Sequence, residues 1–136
     1  MNESISAIIS GLIATLALTG AALAGDVVVV MGPGAVALSK DQVANVYLGR
    51  NSDLKPVDLH ELNPIRDAFY KKVTGRGPAE VKAVWSRLMF TGQGQPPKEL
   101  ADAAAVKKAV ASDPKAVGYI DKADLDASVK VVLALN

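Results

Sequence analysis

From residue 26 onward the chain alternates between short β-branched runs and longer stretches with helical spacing. Asp26 is followed by Val27-Val28-Val29-Val30-Met31, an unbroken apolar run of the kind found in strands covered on both faces. Gly32-Pro33-Gly34 ends it. Ser39 then precedes Lys40-Asp41-Gln42, a Ser-x-x-Gln capping box. Val43, Val46 and Tyr47 make a short helical stripe that Gly49 stops. A polar turn over 51–55 leads to a second strand, Pro56 to Leu59. Asn63-Pro64 has the form of an N-cap followed by proline at the first helical position. Ile65, Phe69 and Val73 repeat at four-residue spacing, and Gly75 closes that helix. After Pro78, Val81, Val84, Trp85, Leu88 and Met89 follow the i, i+3, i+4, i+7, i+8 pattern. An aperiodic Gly/Gln/Pro segment over 91–97 separates this helix from an Ala-rich one predicted over Lys98–Ser112. Val117–Ile120 and Ser128–Leu133 read as the third and fourth strands. Strands separated by helices predict an α/β domain, a mixed central sheet of about four to five strands between helical layers. The first and last strands are the most apolar, which predicts neighbours at the sheet centre.

The first 24 residues have a different texture. Met1 to Ser4 is polar, Ile5 to Ala24 is uncharged, and the run ends on Ala22-Leu23-Ala24. That layout predicts a secretory signal peptide, 1–24, removed to leave a domain of residues 25–136 in the periplasm or the medium. The opening carries Glu3 and no Lys or Arg. The alternative is a retained membrane anchor, because a span needs roughly 20 apolar residues. The chain has no cysteine, so neither a disulfide nor a lipid-bearing thiol is available to it. Its net charge is +1, and Glu3 is the one charge in the leader. So slight a basic excess argues against a nucleic-acid binder held by a basic face.

Catalysis finds few parts here. His60 is the only histidine, and His60-Glu61 is far short of a zinc ligand set. Asp121, Asp124 and Asp126 lack the glycine and the twelfth-position glutamate of a calcium loop. The residues predict no enzyme, no metal and no cofactor. Anion binding has better material. Asn63, Ile65 and Arg66 bring a capping side chain, backbone N–H groups and a guanidinium to one helix N-terminus. The plainer reading is an ordinary helix start, with Arg66 paired to Asp67 or Glu61. Thr91, Gly92 and Gln93 open a second candidate, a loop whose glycines allow close backbone approach; the plainer reading is a stiff connector. Ser39 is a cap and a further candidate hydroxyl.

Several segments together carry a resemblance. Leu38-Ser39-Lys40-Asp41-Gln42-Val43-Ala44-Asn45-Val46-Tyr47-Leu48-Gly49-Arg50, then 64–70, then Trp85 through Pro97, then Ala116-Val117-Gly118-Tyr119-Ile120, resemble in order the short PstS-like periplasmic phosphate ABC transporter substrate-binding proteins. The resemblance covers nearly all of 26–133. It implies one lobe of a binding protein whose full-length members close two α/β lobes on phosphate, with hinge strands at Val27–Val30 and Val129–Leu133. It implies a ligand site at Asn63, Ile65 and Arg66, joined by Ser39 and by Thr91, Gly92 and Gln93. Arg66 matches the short relatives, whereas the Ser-Gly-Thr phosphate loop of the long ones has no counterpart near Leu62-Asn63-Pro64.

Two functions follow from this reading. One is a periplasmic module for phosphate or a related oxyanion, working with an ABC permease. The other is a structural, self-associating envelope protein, a homodimer or larger assembly, whose ligand site is vestigial. Exposed hinge strands would favour such pairing.

Overall fold

A computed structural model describes residues 26–135; the predicted leader lies outside them. Five strands form one mixed sheet. They are β1 (Val27–Met31), β2 (Lys55–Leu59), β3 (Lys98–Leu100), β4 (Ala116–Asp121) and β5 (Lys130–Leu135), in the order β3-β2-β4-β1-β5. β2 runs parallel to β3 and β4, and β1 runs antiparallel to β4 and β5. The helices are α1 (Lys40–Tyr47), α2 (Pro64–Thr74), α3 (Pro78–Phe90) and α4 (Ala103–Ser112). Among the described residues no helix is long and apolar enough to cross a membrane.

Alternation along the strands sorts side chains to two faces. Gly118 lies against Val57, Val106 and Val110 on the α4 face. Tyr119, one residue on, packs with Tyr47, Phe69 and Tyr70 from α1 and α2 on the other. The all-valine start of β1 is buried along its whole length, as an unbroken apolar run predicts. The expected α/β sandwich of helix, sheet and helix is what forms.

One boundary and one strand position differ from the sequence reading. Lys98–Ser112 is not one helix: Lys98–Leu100 pairs with Val57–Leu59 as β3, and α4 starts at Ala103, where the Asp102 carboxylate accepts from Ala105 N–H at 3.0 Å. Alanine content carried the predicted helix past a capping aspartate. The last strand pairs with β1 as expected but forms the sheet edge, not its centre. Part of its outer edge is covered, since Leu38 N–H donates to Val132 O at 2.9 Å. A strand run reports burial of its side chains, and here a loop supplies what a further strand would.

Ser39 caps α1 with the reciprocal Gln42 bond, as the sequence predicts. Gly49 ends α1 at φ 76°, with Gly49 N–H on Val46 O and Arg50 N–H on Asn45 O, a Schellman closure. A Cβ on Gly49 would overlap Leu88 Cδ1 and lie 3.2 Å from Trp85 Cη2. Gly49→Ala is therefore expected to cost about 2 kcal/mol, from left-handed strain and crowding together. Urea denaturation reads this directly; an unchanged midpoint would show that α3 tolerates the displacement. Of the predicted α3 stripe, Val81 and Trp85 are buried, Val84 and Leu88 half-buried and Met89 exposed. Trp85 Nε1 donates to Tyr47 O at 2.9 Å and ties α3 to the end of α1.

Candidate functional site

The polar centre of the molecule is Asp58, a carboxylate near the end of β2 that is 2% exposed. It shares its sheet face with Tyr119, and α2 brings Tyr70 over it. Its Oδ1 accepts from Leu59 N–H at 2.9 Å and from the Tyr119 hydroxyl, and its Oδ2 accepts from the Tyr70 hydroxyl at 2.5 Å. Arg66 Nη2 lies 3.7 Å from Oδ2. Burial raises the Asp58 carboxyl above the ordinary range, against hydrogen bonds from the two tyrosines and the charge of Arg66, which pull it down. Burial and the Asp58 charge push both tyrosine hydroxyls well above their usual range, so they act as donors.

Arg66 is spent inside this network. Nη1 donates to Leu59 O at 3.0 Å and to Glu99 Oε2 at 3.1 Å. The guanidinium carbon lies 5.8 Å from the Tyr70 ring centre. Its side chain is 13% exposed, and Nε is buried without a partner. The partners foreseen from sequence, Asp67 and Glu61, are not the ones used; Asp67 pairs with Lys71 across one helical turn at 3.3 Å. β2 and β3 supply the counter-charges because their pairing sets Asp58 opposite Glu99.

The first turn of α2 is also largely self-satisfied. Asn63 Oδ1 accepts from Ile65 N–H at 3.0 Å, Asn63 N–H donates to His60 O, and Arg66 N–H donates to Asn63 O. Asn63 and Ile65 nonetheless line an open concavity of about 380 Å³ together with Leu59, Asp102, Ala103, Ala104, Asp121 and Asp124. This mouth sits at the carboxyl ends of β2 and β4, where α2 and α4 both begin. Ala103 and Ala104 are the first two residues of α4, and their amides make no hydrogen bond among the described residues. Three carboxylates share the rim; Asp102 and Asp121 each commit an oxygen to a cap, at Ala105 and Ala123. No group of three or more His, Cys, Asp or Glu among the described residues is arranged to hold a metal ion.

The remaining predicted residues lie elsewhere. Ser39 caps α1. Thr91, Gly92 and Gln93 form the closing turn of α3: Gly92 takes φ 73°, its N–H donates to Met89 O, and Gln93 N–H donates to Leu88 O at 2.8 Å. Thr91 Oγ1 donates back to Arg87 O. Gln93 lines a separate groove of about 260 Å³ beside Trp85, Gly94 and Pro97. The structure thus groups Asn63 with Ile65 and sets Arg66, Ser39 and the Thr91–Gln93 turn apart from them. Sequence reasoning missed Asp58, Tyr70, Tyr119 and Glu99. The available signal was an acid inside Pro56-Val57-Asp58-Leu59, where an apolar strand residue is expected.

No protein-family model matches this chain, and no curated protein matches it. Solved structures do. An ABC-type phosphate transport receptor from Vibrio cholerae is 15% identical with a TM-score of 0.62, over 79% of this chain and 45% of that one. A phosphate ABC transporter substrate-binding protein from Clostridium perfringens, with bound phosphate, is 19% identical with a TM-score of 0.63, over 79% and 44%. PstS from Borrelia burgdorferi is 9% identical with a TM-score of 0.54, over 72% and 41%. The alignments cover less than half the length of each of these proteins. In fold, this chain is similar to one lobe of these PstS-like phosphate ABC transporter substrate-binding proteins.

Proposed function

We propose that the protein is an exported solute-binding lobe for phosphate or a related oxyanion, serving ABC-type transport or sensing, and that the lone lobe grips its ligand weakly. The supporting observation is the mouth where α2 and α4 both start, in a fold shared with a receptor solved with phosphate bound. Ligands of open α/β sheets bind outside the carboxyl ends of the strands. The donors on offer are the Ala103 and Ala104 amides and the Asn63 side-chain amide. Helix N-termini favour an anion there. The rim carboxylates oppose it, each by roughly 1 kcal/mol at about 4 Å in a wet site. Arg66, held by Asp58 and Glu99, adds no free fork to this site.

A few weak donors against three carboxylates correspond to affinity of about millimolar order, near −4 kcal/mol. Calorimetry with inorganic phosphate on the protein lacking residues 1–24 is expected to give weak, saturable heat in that range. Binding tightens below neutrality, because a more protonated oxyanion donates to the rim carboxylates. Asp124→Asn, which removes one like charge without touching a cap, is expected to tighten binding about fivefold. Absence of heat at about ten times that concentration rules this reading out.

A second reading is favoured by one specific observation, the internal commitment of Arg66 and of the α2 first-turn amides. On that reading the lobe is a self-associating envelope protein with a vestigial ligand site. Light scattering would then show assembly that phosphate leaves unchanged.

A further inference from the structure

The two ends of α2 carry opposite charge, and none of the groups concerned has an ion-pair partner among the described residues. At its N-terminal end lies the mouth rimmed by Asp102, Asp121 and Asp124. The neighbouring turn exposes Leu62 at 83%. α3 returns to the same end after the short 75–77 connection, so Glu61 and Met89 line one cleft. Phe90, at the end of α3, is 92% exposed. Eleven residues away, about 16 Å along the axis, the end of α2 meets α1 around a concavity of about 400 Å³. Arg50 and Arg76 line it, with Asp41 as its single carboxylate.

Exposed large apolar side chains beside three carboxylates are the make-up of a contact surface. Lys107 on the flank is engaged by Asp126 Oδ2 and Asp124 O, which leaves Lys122 as the one cation within the Asp121–Asp124 lip. What that surface accepts follows from charge. A second copy presenting the same lip would set three carboxylates against three, so a closed two-fold pair through this face is disfavoured. A basic concavity suits it, and the chain's own far pole is one. We infer that the chain assembles head to tail, the Asp121–Asp124 lip and Leu62 of one copy seated on the Arg50–Arg76 concavity of the next. The contact is heterologous, so it propagates from copy to copy, as a ring or an open chain according to the rotation between neighbours. The inference rests on the self-associating reading above and names its surfaces.

Sedimentation velocity in phosphate-free buffer tests it on the protein lacking residues 1–24. Wild-type protein is expected to grow in mass with concentration at low salt and to disperse at about 0.5 M salt, where charges are screened within a few ångströms. Arg50→Glu with Arg76→Glu removes the socket; Leu62→Lys with Asp124→Lys removes the lip. Each double variant alone is expected to associate at least about tenfold more weakly, the change that 1.4 kcal/mol produces. Each retains the surface the other lacks. An equimolar mixture should recover association, because the intact lip of one variant meets the intact socket of the other and the reversed charges of the altered lip and socket also complement each other. Wild-type assembly that neither variant weakens overturns the head-to-tail arrangement and leaves self-association standing. A wild-type monomer at every concentration overturns both.

Discussion

Replacing Arg66 with methionine is expected to remove about 3–5 kcal/mol of stability and to make the remainder fall as pH rises. The guanidinium is the one cation beside a carboxylate that is 2% exposed. Methionine keeps most of the stem volume and leaves Asp58 with tyrosine and amide donors only. Burial already holds the folded-state carboxyl above its ordinary range. In the unfolded chain Asp58 titrates in the usual carboxylate range, so protonation favours the folded state. That contribution is fully present below the unfolded value and is lost as pH climbs through the raised folded one. Loss of Arg66 raises the folded value further and widens the window. Urea denaturation at about pH 5 and pH 8 should therefore show the larger loss at the higher pH. Equal losses at both would mean that Asp58 keeps a single protonation state between those pH values in both proteins. Adding Asp58→Asn to Arg66→Met should recover part of the loss, since a neutral pair strands no charge. An arginine substitution made to probe ligand binding would thus report on the core.

The second large effect is expected at Phe69, which is fully buried. Its ring stacks on Tyr119 with centroids 3.9 Å apart and planes within 4°, and meets Tyr47 edge-on at 4.7 Å. Phe69→Ala removes a large apolar side chain from a closed site and leaves a cavity, a change that typically costs about 3–5 kcal/mol. Here it also frees the Tyr119 ring, whose hydroxyl must stay on Asp58. The expected signature is a lowered denaturation midpoint together with greater exposure of Tyr119 to solvent by fluorescence quenching. Phe69→Leu, which refills most of the space, should recover more than half. A midpoint unchanged in the alanine variant would show that α2 is not seated on the sheet as described.

The parts of the fold visible in sequence are those set by local rules. The capping box at Ser39, the Asn63-Pro64 helix start and the valine run of β1 each declare themselves within a few residues, and each forms as read. β3 was not visible because Lys98-Glu99-Leu100 has no strand composition; it pairs only because β2 offers a parallel edge there. The edge position of β5 depends on which neighbours other strands take, and composition carries no such information. At the candidate site, the Asn63 cap over Ile65 is legible because a helix N-terminus is a local event. The role of Arg66 is not, because its partners Asp58 and Glu99 come from two other strands. A guanidinium read beside an amide turn looks available for an anion. In the folded chain that charge is neutralised within 4 Å.

A phosphate titration followed by two-dimensional NMR tests the central claim most directly, that the amide mouth between α2 and α4 takes the anion while the Arg66 guanidinium stays bound to its own domain. The account predicts shifts confined to the amides of Leu62, Asn63, Ile65 and Arg66 and of Ala103, Ala104 and Ala105, half-saturation of about millimolar order, and an Arg66 Nε–H signal that does not move. Amides that stay still throughout, or an Arg66 signal that shifts in step with phosphate, would contradict it.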